Sequence, residues 1–319
     1  MKLKDFYRFA VEAGIHNDPR GLQTVERELA LTREKFEEAK GKARDYFDTI
    51  SLENPYADSR ILWGDPETEV HSVMVGIDME AGELLVADRL REKGQPIDLV
   101  LAHHPEGAGL SRLSAVMALQ VELLTAAGVN IATAEALMEP RIKEIERAIS
   151  PTNHNRHVDA ARLLQIPYMC AHTAADNCVA TFLANTFDEK KPYRVKDVVD
   201  ILMEIPEYAA ASALFAGPRV VSGDPSRRAG KIMLEMTGGT EGSKEIFASL
   251  EGAGVSTLVS MHLTEAHLKA AKEHHLNVVI AGHISSDNLG VNLLLDEIQR
   301  RAGAQLDIIE ASGFVRVQR

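Results

Sequence analysis

The chain has 319 residues, enough for one large α/β domain or two lobes, and 45% hydrophobic with 26% charged residues is the composition of an ordinary globular protein. A net charge of −12 argues against a broad basic face for nucleic acid or for an anionic membrane, and no apolar run approaches the ~20 residues of a membrane span. Two cysteines, Cys170 and Cys178, are too few for a disulfide framework and read as small buried hydrophobes, so the expectation is a cytoplasmic protein.

Residues 1–50 carry apolar residues at helical spacing with mixed charges between them, which predicts a helical N-terminal extension used for packing or oligomerisation. From Glu69 onward, strands and helices alternate. EVHSVMVGID predicts a strand, GELLVADRLREKG a helix, PIDLVLAHHP a strand, SAVMALQVELLTAAG a helix and VNIATAEA a strand. Two helices near 139–149 and 154–165 lead to the strand IPYMCAHT and the helix DNCVATFLANTF. A helical connection (KDVVDILMEI, YAAASALFAG) opens a second series of the same grammar. GKIMLEMTGG, VSTLVSMH and NVVIAGH are its strands, SKEIFASLEGAG, TEAHLKAAKEHH and NLGVNLLLDEIQRRAG its helices, and LDIIEASGFVRV ends the chain with strand character. The prediction is an α/β fold of two related lobes, residues 51–190 and 191–319, with mainly parallel sheets and a cleft between them.

Each half ends in strand–HxxxDN–helix: His172 to Asp176 in AHTAADN, and His283 to Asp287 in GHISSDN. In parallel α/β sheets ligands gather outside the carboxyl ends of strands. That rule brings His103, His104, His172, His262 and His283 to one edge, with Asp176 and Asp287 at the starts of the following helices. Any one of these has a plain explanation, since a histidine can bond a loop carbonyl and an aspartate is a preferred helix cap. Their joint placement argues for a metal site, because imidazoles with carboxylates that can bridge are what a pair of divalent cations needs. His154 and His157 begin a helix that feeds the active edge, and His262, Glu265 and His267 share another first turn. His274 and His275 fall on the opposite edge and read as structural, and His16 and His71 have no role here. The turn Thr237-Gly238-Gly239-Thr240 has no phosphate-loop companion and reads as a plain turn.

HHP after a strand, then HTxxD, then AGH with an acidic residue four positions on, resembles the Nif-three-like proteins, dinuclear metal-centre proteins often labelled GTP cyclohydrolase I type 2 homologues. The resemblance spans roughly residues 58–319. It implies metal ligands at His103, His104, Asp176, His283 and Asp287, two divalent cations (zinc, iron or manganese), and a homo-oligomer that in this family is commonly a hexamer. Asp287 stands where the family usually has glutamate, ADSRILWGD (57–65) replaces an expected WDNxGL, and Ser260-Met261-His262 replaces an acidic turn. The function expected is a dinuclear-metal-dependent hydrolase of a nucleotide or phosphoester, GTP cyclohydrolase-like by resemblance only, with His172, His157 and His262 as proton carriers. The competing expectation is a non-catalytic metal-binding protein: a store, a chaperone or a regulatory partner.

Overall fold

The apolar runs become short strands, and those at the centre of each sheet are buried along nearly their whole length, as strands covered by helices on both faces must be. The structure, a computed structural model, describes residues 1–319. The strands are β1 (Ser59–Trp63), β2 (Ser72–Gly76), β3 (Leu99–Ala102), β4 (Tyr168–Ala171), β5 (Arg219–Ser222), β6 (Lys231–Glu235), β7 (Val255–Ser260), β8 (Asn277–Ile280) and β9 (Asp307–Glu310). They form two sheets, ordered β1-β4-β3-β2-β9 and β5-β8-β7-β6.

The two orders are the same pattern. An antiparallel edge strand (β1, β5) lies beside the last parallel strand of its series (β4, β8), followed by the third and the second. The two HxxxDN segments therefore leave topologically equivalent strands, β4 and β8. The edge strands β1 and β5 were not expected from the sequence. Both are short, and β5 is only partly buried, so neither carries a strong period-two signal.

Three further expectations change. VNIATAEA is helical: one helix runs Ile131–Ile149, started by Asn130, whose side chain accepts from the Ala132 and Thr133 amides. Pro140 lies inside that helix, and the helix expected near 139–149 is its second half. The single helix expected over 114–128 is broken into Leu113–Val116 and Leu119–Ala126, and a further short helix, Gly107–Ser111, precedes them. β9, assigned from the sequence to the lobe 191–319, pairs in parallel with β2 and so belongs to the first sheet.

The N-terminal segment divides. The helix Leu3–His16 buries Leu3, Phe6, Ala10 and Ala13 in the same core as β2, β3 and the helix His283–Ala302, whereas the helix Leu22–Glu38 buries only Val25 and Leu29. No helix is long and apolar enough to cross a membrane.

Candidate metal centre

The carboxyl ends of β3, β4 and β8 meet where the helices Thr173–Lys190 and His283–Ala302 begin. Each helix places an aspartate one turn in. Asp176 and Asp287 are 4% and 0% exposed, and His103, at the end of β3, is 1% exposed.

His103 Nε2 lies 3.4 Å from Asp176 Oδ1 and 3.5 Å from Asp287 Oδ1. Its other nitrogen, Nδ1, is 3.1 Å from the Ala171 carbonyl oxygen. A carbonyl can only accept, so Nδ1 carries the hydrogen and Nε2 presents a lone pair to the two carboxylates. His104 repeats the arrangement: Nδ1 donates to Asp78 Oδ1 at 2.6 Å, and Nε2 is 3.4 Å from Asp287 Oδ2. His283 Nε2 approaches the same Asp287 Oδ2 at 3.6 Å. The two oxygens of Asp287 thus face opposite ways, one toward His103 and one toward His104 and His283.

His103 Nε2, Asp176 Oδ1 and both Asp287 oxygens are buried without a hydrogen-bond partner. Each such atom costs on the order of 1–3 kcal/mol, and more when charged, unless something satisfies it. Three-donor groups with ligand atoms within 4.8 Å of one another are His103–Asp176–Asp287, His104–His283–Asp287 and His103–His104–His172. Nitrogen and carboxylate donors in this number suit a divalent transition metal. The hydrogen bonds from the far imidazole nitrogens to a carbonyl and a carboxylate are the usual supports of ligating histidines. The residues fit the group.

The local electrostatics agree. Burial pushes the His283 imidazole down to about 4 against the pull of Asp287, leaving it neutral at physiological pH. Burial opposes ionisation of Asp287, yet His103, His104 and His283 hold its carboxyl well below the usual range. Asp176 is pushed up to about 6 by burial, which His172 and His103 counter only in part.

His172 does not touch Asp287 directly. Burial would lower its pKa, but Asp176 and Asp58 outweigh it and raise it to about 9. Its Nδ1 is 2.9 Å from Asp58 Oδ2, an oxygen that also accepts from Thr173 Oγ1 at 2.6 Å, and its Nε2 lies 3.8 Å from Asp176 Oδ2. Asp58, fully buried at the start of β1, was missed from the sequence. The segment ADSRILWGD was read only as a departure from a motif, and its aspartate was the available signal.

The remaining histidines separate cleanly. His262 stacks edge-on with His283 at 4.7 Å between centroids and bonds Glu241 through Nδ1 at 3.0 Å. His267 donates from Nε2 to the Gly242 carbonyl, with Nδ1 on Thr264 Oγ1, and is a structural anchor. His157 lies with Glu80 and Glu106 in a group of its own. Its Nδ1 accepts from the Ala81 amide at 2.9 Å, so its hydrogen sits on Nε2, facing the two carboxylates. His154 bonds the Ile149 carbonyl, and His274 pairs with Glu251 at the surface.

Glu235 and Glu241 line the cleft with His172, Asp176, His262, His283, Asp287 and the Thr237–Thr240 turn, around a space of about 50 Å³. Glu235 ends β6, a carboxylate at a strand end that no histidine pattern reveals. The asparagines of the two DN pairs are structural. Asn177 accepts from Thr237 Oγ1 at 2.7 Å, tying the lobes together, and Asn288 receives the Val315 amide at 2.7 Å, pinning the C-terminal segment.

The architecture is similar to that of a NIF3 superfamily protein from Sphaerobacter thermophilus, with a TM-score of 0.69 and 24% identity over 90% of this chain and 98% of that one. The fold is NIF3-like. Reduced HcgD from Methanocaldococcus jannaschii is similar at a TM-score of 0.52 and 15% identity, over 83% of this chain and 93% of that one. No family model and no curated protein matches the sequence. In this NIF3-like frame, the buried His/Asp cluster between the two sheets is a candidate metal site.

Proposed function

We propose that the chain holds two divalent cations in this cleft and acts as a hydrolase on a nucleotide or phosphoester. The observation that carries the reading is the set of four buried, unpartnered donor atoms on His103, Asp176 and Asp287. In this reading His103, Asp176 and Asp287 would hold one cation, and His104, His283 and Asp287 would hold the second. Such a pair supplies Lewis acidity toward a carbonyl or phosphoryl oxygen and lowers the pKa of water.

The protein side of the chemistry falls to residues around that set. Asp58 fixes the His172 ring so that Nε2 points at Asp176, where it can hold and release a proton. His262, steadied by Glu241 at the mouth of the cleft, is the second proton carrier. His157 is a third, its Nε2 hydrogen facing Glu80 at 3.8 Å and Glu106 at 4.0 Å.

A second reading, a protein that binds metal without turnover, draws on the small volume of the cleft, about 50 Å³, which leaves room for little besides cations and water. Elemental analysis and an assay against nucleotides and phosphoesters separate the two. The hydrolase reading expects about two metal ions per chain and turnover that disappears in Asp176→Ala with the fold retained. Metal uptake with no turnover on any member of the panel selects the second reading. Negligible metal after growth and purification with zinc, iron and manganese present sinks both.

A further inference from the structure

A second, far larger cavity adjoins the cleft. It encloses about 730 Å³, within the range of small-molecule sites, and it shares Met261, His262 and His283 with the small space at the carboxylates. It lies between the helix Pro206–Ala213 with the turn into β5, the ends of β7 and β8, the start of the helix His283–Ala302, and the C-terminal segment. Twelve of its 21 lining residues are hydrophobic, so it suits an apolar body; Ala211, Val221, Leu268 and Ile280 are among them.

Its polar groups are few and specific. Ser285 lines it, is 6% exposed, and its buried Oγ has no hydrogen-bond partner. Ser285 stands in the first turn of a 20-residue helix, where backbone N–H groups favour an anion. Arg219, opposite Ile280 in the β5–β8 register, also lines the cavity and makes no ion pair. The remaining charged group, Glu207, is already bound by Arg319 and Asn292.

The geometry points to this cavity as the subsite for the body of the substrate: a small organic anion with an apolar body and a single anionic group, held by Arg219 and Ser285. The inference rests on the hydrolase reading for its chemistry, because His262 and His283 are the walls through which the bound molecule would reach the cleft. It also narrows that reading. One free guanidinium beside a carboxylate, in a chain of net charge −12, does not match a triphosphate, which carries several negative charges.

The test is isothermal titration calorimetry on the full chain with 2-naphthoate and its neutral isostere 2-naphthamide, with the metal content of each sample measured alongside. The expected result is one site per chain, with the acid bound about 3- to 10-fold more tightly than the amide, a range set by a charge-assisted hydrogen bond from an exposed guanidinium. Arg219→Gln, on an exposed residue that the fold does not need, removes that preference. Ala211→Trp fills the cavity and abolishes binding of both, with the circular dichroism spectrum unchanged. Asp176→Ala leaves naphthoate binding intact. The inference is overturned by no binding of naphthoate at millimolar concentration, by equal affinity for acid and amide, by binding indifferent to Ala211→Trp, or by guanosine triphosphate displacing naphthoate as the tighter ligand. Naphthoate bound by a protein that takes up no metal sinks the metal reading and spares the subsite; two metals per chain without naphthoate binding does the reverse.

Discussion

Asp287 faces three imidazoles with two oxygens, and Asp176 faces His103 and His172. This asymmetry predicts graded losses. Asp176→Ala removes one donor from one side of the cluster and should leave about one metal per chain, whereas Asp287→Ala takes a donor from both sides and should leave almost none. Elemental analysis of the two variants reads this directly; equal losses would mean that Asp287 does not bridge. The supports of the ring nitrogens matter as well. Asp58→Asn weakens the hold on His172, and in metal-free protein the His172 titration, followed by proton NMR, should move down from about 9. The sign follows from linkage: the raised pKa stabilises the fold fully below 6.5, the ordinary value for histidine, and the contribution is lost as pH rises through about 9.

The cysteines obey the same logic in the opposite direction. Burial pushes the Cys170 thiol up to about 11 and the Cys178 thiol up to about 12. Neither should react with a thiol-specific disulfide reagent at pH 8 in the native protein, and both should react after denaturation. Rapid labelling of the native chain would show that the β4 end opens. At this scale the sequence reading was strong where chemistry is carried by residue type, as with the histidines and aspartates at strand ends. It was weak where a residue acts through a neighbour. Asp58, Asp78 and Glu241 each orient an imidazole far away in sequence, and no local spacing ties them to it.

Two helices deliver the two aspartates, and they approach closely. At Gly290 a Cβ would lie 2.8 Å from the Ala175 carbonyl oxygen and 2.8 Å from Val179 Cγ2. Alanine is the better helix former by about 1 kcal/mol, yet overpacking a backbone contact costs on the order of 1–3 kcal/mol, so crowding wins. Gly290→Ala should therefore lower stability by up to about 2 kcal/mol in denaturant unfolding and loosen metal binding, because it separates Asp176 from Asp287. A neutral or stabilising outcome would show that the helices can part without cost. The alternating elements 69–102 and 231–302 were legible because their periods are strong and their turns carry glycine. Ile131–Ile149 was not, because its first residues read equally as a half-buried strand, and the Asn130 cap that decides the matter is a three-dimensional hydrogen bond. β1 and β5 take their identity from pairing with β4 and β8, which lie more than 50 residues away.

Across the whole molecule, two sheets of equivalent order turn the carboxyl ends of β4 and β8 toward one another, and the site belongs to neither lobe alone. Bound cations would thus hold the lobes together. A ligand that binds only the folded state stabilises it by about 2.7 kcal/mol at a hundredfold excess over its Kd. Chelation should accordingly lower the Tm by about 5 °C or more for two cations, and restoring the metal should recover it. An unchanged Tm with metal demonstrably removed would mean that the cleft is held by Asn177–Thr237 and the cores rather than by ions. The helix Leu3–His16 also belongs at this scale. It reads as an extension because its amphipathic stripe gives no hint of its partner, yet it completes the core beneath β2 and β3.

By itself, the sequence determined the alternation of elements, the repeat of HxxxDN and the edge on which the imidazoles collect. These depend on residue type and on spacing along a single strand or helix, where geometry is fixed by the backbone. Only the tertiary structure decided that Asp287 lies between His103 and His104, that Asp58 and Glu241 hold their histidines, that β9 returns to the first sheet, and that a large apolar cavity opens beside the cleft. Those outcomes depend on how surfaces distant in sequence pack, and packing is a sum over many weak contacts that no short stretch of chain contains.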